Sequence, residues 1–104
     1  MTVERIGPLE DLKAGTARQV VIGSHRIALV RLDDDIYAIG DVCSHQDYSL
    51  SEGEILSEDK TIECWKHGSC FSLVDGHPEA LPATKPVPVY EARVVDGQIE
   101  VVIP

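Results

Sequence analysis

Apolar positions along this chain fall in short runs that keep no helical period. "RQVVI", "HRIALVRL", "IYAIG", "TIEC", "YEARVV" and "QIEVVI" are four to eight residues long and rich in β-branched side chains. Turn formers separate them: Gly23-Ser24, Asp33-Asp34-Asp35, Asp75-Gly76 and Asp96-Gly97. Asp96-Gly97 between two alternating runs predicts a tight hairpin, and Gly23-Ser24 predicts another, because both dipeptides accept the backbone twist of a two-residue turn. Short strands, closely spaced and tightly turned, predict an all-β sandwich or small barrel. The pattern allows one turn of helix, near Leu9 to Lys13.

One region breaks this rhythm. From Asp41 to about Pro88 the chain is rich in Ser, Gly, Pro, Asp and Glu, with only short strand-like pieces, yet it holds all three cysteines and three of the four histidines. A long irregular stretch inside a compact domain is usually functional. It is read here as a subdomain inserted between two sets of scaffold strands.

Length and composition narrow the classes. A chain of 104 residues with 43% hydrophobic positions supports one core and one domain. No apolar run is long enough for a membrane helix, and the N-terminal "MTVERIGPLEDLKAG" lacks a signal-peptide core. A cytoplasmic protein and a monomer are expected. Three cysteines do not suit a disulfide scaffold and point to ligands, catalytic thiols or buried filler.

The net charge of −9 is unevenly placed. Ten acids, among them Asp33, Asp34, Asp35, Asp41, Glu58, Asp59 and Glu63, face only Lys60 between positions 33 and 63, and the eight acids and eight bases elsewhere cancel. The acidic segment reads either as a solvated face or as a docking surface for a basic protein partner. Nucleic acid is disfavoured, because phosphates would be repelled.

The candidate chemistry is Cys43-x-His45, eighteen residues, then Cys64-x-x-His67. Each half supplies one thiolate and one imidazole. Such a set binds zinc tetrahedrally or holds a 2Fe-2S cluster, with both thiolates on one iron and both imidazoles on the other. Structural zinc sites favour two cysteines from one tight turn. Two loops that each give one ligand of each type suit a binuclear centre.

With "CSH" and "CWKHG" in place, the sequence resembles the Rieske-type 2Fe-2S ferredoxins, the ferredoxin components of multicomponent non-haem iron dioxygenases. The resemblance extends to the strand Tyr37 to Ile39, to His45, Leu50, Ser51 and Gly53, to "HGSCFSLVDG" and to the closing "PATKPVPVYEARVVDGQIEVVI". It implies a fold of three antiparallel sheets, with a cluster-binding subdomain at about 41–77 and scaffold strands at about 1–40 and 78–104. It implies one 2Fe-2S cluster, with Cys43 and Cys64 on the inner iron and His45 and His67 on the outer iron through Nδ1. It also implies a one-electron carrier with no substrate site of its own. That carrier would pass electrons from a flavin-dependent reductase to a terminal oxygenase, such as an aromatic-ring-hydroxylating dioxygenase. The alternatives are a Rieske small subunit of a larger reductase, a ferredoxin serving iron–sulfur assembly and, in another class, a zinc-binding interaction module.

The charge count sets the potential. Two ferric ions, two sulfides, two thiolates and two neutral imidazoles sum to zero, so an added electron meets less repulsion than in an all-thiolate cluster; the range is about −150 to +300 mV. The resemblance implies a place in its lower half. Neither loop has the extra cysteine that forms a disulfide in respiratory members. Phe71 stands where those proteins have a tyrosine hydroxyl, Ser69 keeps a hydroxyl toward sulfide, and ten carboxylates lie nearby in sequence. Reduction is expected to raise the pKa of the ligand imidazoles at Nε2. Gly68 is expected to permit a tight turn toward sulfur, Trp65 to cover the cluster or meet a partner, and Cys70 to be small apolar filler or, as the second reading, a redox-tuning sulfur. His25 and His77 match no motif and read as structural. Pro82, Pro86 and Pro88 are expected to form a rigid segment beside the loops.

Overall fold

The computed structural model describes residues 2–43, 48–65, 68–79 and 85–103. Nine strands run through them: β1 Thr2–Pro8, β2 Thr16–Ile22, β3 His25–Leu32, β4 Asp35–Gly40, β5 Glu54–Leu56, β6 Thr61–Glu63, β7 Cys70–Ser72, β8 Val89–Val95 and β9 Gln98–Ile103. The expected helical turn is a 3-10 helix at Leu9–Asp11, and a second one lies at Leu50–Glu52.

All pairings are antiparallel. One sheet has the order β1-β9-β8-β4-β3-β2, the other β5-β6-β7. The larger sheet is two three-stranded ladders joined at β8. The start of β8 pairs with β4 (Ala38 with Tyr90, Ile39 with Val89), while the remainder, from Glu91, pairs with β9. Together with β5–β7 this makes the three-ladder plan expected from the sequence.

The hairpins form where turn chemistry places them. Two-residue loops join Ile22 to His25, Leu32 to Asp35 and Val95 to Gln98. Asp96 and Gly97 both have positive φ (52° and 76°), as a type I′ turn requires. At the β3–β4 turn Asp33 has φ 54°. There Arg31 Nε donates to Asp33 O at 2.6 Å, and Arg31 Nη1 donates to Leu12 O at 2.8 Å. One guanidinium thus ties this turn to the segment after the first 3-10 helix.

β3 explains the layering. Its run Ile27–Val30 is buried on both faces, which is why it reads as continuous rather than alternating. Ile27 and Leu29 face a core with Leu12, Ala38, Ile99, Val101 and Ile103, inside the curl of the larger sheet. Ala28, Val30 and Leu32 face a second core with Ile39, Cys43, Leu50, Ile62, Cys64, Phe71, Leu73 and Val87. This second core joins the larger sheet to β5–β7, and it contains both candidate thiol ligands.

β1 is a strand the hydrophobic pattern does not announce. Its residues are mostly exposed or half-buried, and it is held by pairing with β9 at the other end of the chain. Glu100 on β9 is buried between Arg5 of β1 (3.6 Å) and Arg93 of β8 (3.1 Å), one charged row across three strands.

Candidate metal centre

The first loop leaves the end of β4. Gly40 N donates to Pro88 O at 2.7 Å, which sets the 85–88 segment against the root of the loop. The neck of the loop is then closed rung by rung. Leu50 N donates to Asp41 O at 2.6 Å, Val42 bridges Ser49, and Cys43 N donates to Tyr48 O at 2.9 Å. Leu50, just past the neck, is fully buried in the second core.

The second loop leaves β6. Cys64 N donates to Ser69 O at 2.6 Å, and Gly68 N donates to Cys64 O at 3.0 Å. Gly68 has φ 76°, so this turn uses the left-handed region that glycine enters at low cost. Each candidate cysteine is therefore the last residue before its loop opens, and each is held by its own backbone N–H.

Two contacts fix the loops to each other. The rings of Tyr48 and Trp65 meet edge to face, with centroids 5.1 Å apart at 76°, a favoured aromatic geometry. Behind them the backbones nearly touch: a Cβ on Gly53 would lie 1.7 Å from Glu63 O. Only a residue without a side chain fits there.

Cys43 and Cys64 are 2% and 0% exposed, belong to one core and form no disulfide. Phe71 and Ser69 are each 0% exposed. Two buried thiols outside any disulfide, at the necks of two facing loops, fit the thiolate half of a 2Fe-2S site. His45 and His67 lie outside the described residues, as does Pro82. Among the described residues no three Cys, His, Asp or Glu side chains converge on one metal position.

Of the other residues singled out in the sequence, Cys70 departs from its first reading and His25 keeps it. Trp65 is half-exposed and braces Tyr48. Cys70 is not buried apolar filler. It pairs across the ladder with Glu63, on the face of β7 opposite Phe71, and its thiol donates to Glu63 Oε2 at 3.8 Å. Partial burial raises the Cys70 thiol above its ordinary value, and the Glu63 carboxylate pushes it the same way. His25 is structural, as expected: its Nδ1 shares a 3.0 Å hydrogen bond with the Tyr90 hydroxyl, whose own pKa burial raises. His77 is exposed, and its backbone N–H donates to Asp75 at 3.0 Å, which lowers that carboxyl.

The acidic segment is not one face. Asp33, Asp34 and Asp35 are exposed at the far end of β4 from Cys43, and a six-residue strand is about 20 Å long. Glu58 and Asp59 sit at the far end of β6 from Cys64. The two turns line one hollow, with Asp33 and Asp35 on one side and Ser57 and Lys60 on the other. Exposed charges separated by more than a screening length of about 8–10 Å interact little. Asp33, Asp34 and Asp35 therefore do not act on the potential as near neighbours, whereas Asp59 lies close enough to raise the Cys70 thiol. Asp41 departs further: it is fully buried at the first loop's neck. Counted by sequence as one surface acid among ten, it is the residue that reasoning missed. The signal was its position, two residues before Cys43 at the end of the apolar strand β4.

Known proteins resemble the chain in both sequence and shape. It is 38% identical over 96 residues to the anthranilate 1,2-dioxygenase ferredoxin subunit of Burkholderia cepacia, covering 92% of this chain and 87% of that one. It superposes on the ferredoxin of carbazole 1,9a-dioxygenase from Nocardioides aromaticivorans IC177 with a TM-score of 0.93 and 34% identity, over 97% of each chain. A solved complex of reduced oxygenase and oxidized ferredoxin in carbazole 1,9a-dioxygenase contains a chain matching at a TM-score of 0.88 and 35% identity, over 95% of this chain and 91% of that one. Residues 2–91 match the model of the Rieske [2Fe-2S] domain, and with two buried thiols at facing loop necks this chain belongs to that family and carries one 2Fe-2S cluster.

Proposed function

We propose that this chain is the ferredoxin of a multicomponent oxygenase, taking single electrons from a flavin reductase and handing them to a terminal oxygenase of the aromatic-ring-hydroxylating class. The observation that carries this reading is the placement of Cys43 and Cys64, both buried and outside any disulfide, in one core between two stapled loops. Its likeness to ferredoxin subunits over nearly its whole length supports the oxygenase role. In this reading Cys43 and Cys64 hold the inner iron and His45 and His67 the outer iron. Residues 41–77 form the cluster-binding subdomain, and 1–40 with 78–104 form the scaffold. The carrier works in the cytoplasm as a monomer, without a substrate site of its own.

When bound, the cluster supplies one-electron redox chemistry at a site that is neutral when oxidised. The chain's own residues make that chemistry orderly. Leu50, Phe71 and Leu73, all essentially unexposed, keep water from the thiol side. The backbone bonds at Cys43 and Cys64 hold the sulfurs, so little reorganisation accompanies electron arrival. Ser69 is fully buried next to Gly68 in the second loop, and in this reading its hydroxyl bonds a sulfide of the cluster. Hydrogen bonds to sulfur favour the reduced form. Tyr48 and Trp65 brace the loops, and the half-exposed face of Trp65 offers apolar contact at the end of the molecule where the electron leaves. The acidic turns at the other end orient an approaching basic partner at long range and do not touch it at the loops.

Metal analysis with a coupled assay tests this. The expected result is two irons and two acid-labile sulfides per chain, and reductase-driven oxygenase turnover that stops when this protein is left out. A colourless chain with one zinc would overturn the proposal.

A further inference from the structure

Asp41, at the root of the first loop, is held by several hydrogen bonds at once. It is fully buried. Oδ2 accepts from Gln19 Nε2 of β2 at 2.5 Å and from the Ser49 hydroxyl, while Oδ1 accepts from Ser51 N at 2.8 Å. Its main chain adds two further tethers. Asp41 N donates to Arg26 O of β3 at 2.9 Å, and Asp41 O accepts from Leu50 N at 2.6 Å. Ser49 gives its one proton to Asp41, so the 2.8 Å contact between the two serine hydroxyls is a bond donated by Ser51 to Ser49. One carboxylate thus joins β2 to both arms of the first loop, two residues before Cys43.

We propose that Asp41 is the positioning residue of the first cluster loop. Its carboxylate sets how firmly the loop neck is closed, and with it the cluster's lifetime and reduction potential. The proposal rests on the ligand reading given above. Both carboxylate oxygens face donors. An amide at the same place satisfies Ser51 N only with its oxygen toward it, and its nitrogen is then met only if Gln19 turns its own amide over and Ser49 accepts instead of donating, so the carboxylate is the group that closes the neck without rearrangement. A buried negative charge beside the site also opposes an incoming electron, so removing it raises the potential.

The test uses the holoprotein of the wild type and of Asp41→Asn, with Ser49→Ala as a milder variant. Asp41→Asn is expected to lose its cluster about ten- to a hundred-fold faster, as followed by bleaching of the visible bands. Its potential should move upward and the paramagnetic resonance spectrum of its reduced cluster should change. Ser49→Ala should bleach faster than wild type by a smaller factor, and it decides the case if Asp41→Asn retains no cluster. A merely structural role would lower the thermal midpoint and leave the potential and spectrum of the retained cluster unmoved. That result, or wild-type bleaching in Ser49→Ala, would overturn the positioning proposal alone. A wild-type spectrum without imidazole ligands would instead overturn the ligand reading, and this proposal with it.

Discussion

The scaffold hairpins and the two cluster loops solve the same task, reversing an antiparallel strand, by opposite means. The scaffold turns at Gly23-Ser24, Asp33-Asp34 and Asp96-Gly97 each need two residues whose backbone preferences suit the twist of the strands. The cluster loops are closed from outside. Gln19 reaches the first from β2, Tyr48 and Trp65 join the two, and Gly53 lets Glu63 O come close. A turn encoded within four residues is stable wherever the strands are. A loop encoded by distant partners is held in one geometry only when the whole fold is present, which is what a metal centre with fixed ligand positions requires.

The largest expected effect falls where the two regions share a core. Phe71→Ala removes a fully buried ring that packs with Cys43 and Cys64 and should cost about 3–5 kcal/mol in denaturant unfolding, with faster cluster loss. If the cost is that large and cluster retention is unchanged, the site does not depend on this core. Arg31→Ala comes next. It frees Leu12 O and Asp33 O of a charged donor and should cost about 2 kcal/mol, while the reduction potential stays at the wild-type value because the change is confined to the scaffold.

A matched pair of glycines sharpens the contrast. Gly97 and Gly68 both have φ 76°, and an added Cβ meets no heavy atom of the described residues within 4 Å at either. Alanine at each should therefore cost a similar 1–2 kcal/mol or so in backbone strain. Gly97→Ala should leave the visible and paramagnetic spectra alone, and Gly68→Ala should shift them, since it strains the turn that closes on Cys64. Equal spectra in both variants would break the comparison.

The smallest effect concerns Cys70. With its folded pKa raised, the thiol stays protonated further up the pH scale, so the reactive thiolate appears only at higher pH. Alkylation of Cys70, followed by peptide mass mapping at mildly alkaline pH, should be slower than for a free cysteine. Glu63→Gln should speed it by removing the facing carboxylate. The same shift makes a small stabilising contribution that is present below the unfolded thiol pKa and lost as pH rises through the folded one.

The division between legible and hidden follows the same physics. β3 and the Asp96-Gly97 hairpin are readable because burial and turn preference act over neighbouring residues. The Cys-x-His and Cys-x-x-His halves stand out because such residue types at such spacing are rare together; the structure places Cys43 and Cys64 in one core, while His45 and His67 lie outside the described residues. β1 was not readable: its burial is slight and its partner, β9, is some ninety residues away. β5 and β7, three residues each, are too short to display a period. Asp41 was hidden among acids, since a residue's neighbours in sequence do not reveal whether it points to water or to Gln19, Ser49 and Ser51. For the same reason Asp33 to Asp35, close to Cys43 in sequence, sit a strand's length away from it.

The central claim is that two loops, each giving one thiolate and one imidazole, hold a single one-electron centre. Pulsed paramagnetic resonance on the reduced protein, with histidine labelled by nitrogen-15, tests it most directly. The account predicts one unpaired spin coupled to two histidine nitrogens, one of which is lost from the retained cluster when either His45 or His67 is replaced by cysteine. A reduced cluster with no histidine coupling would contradict it.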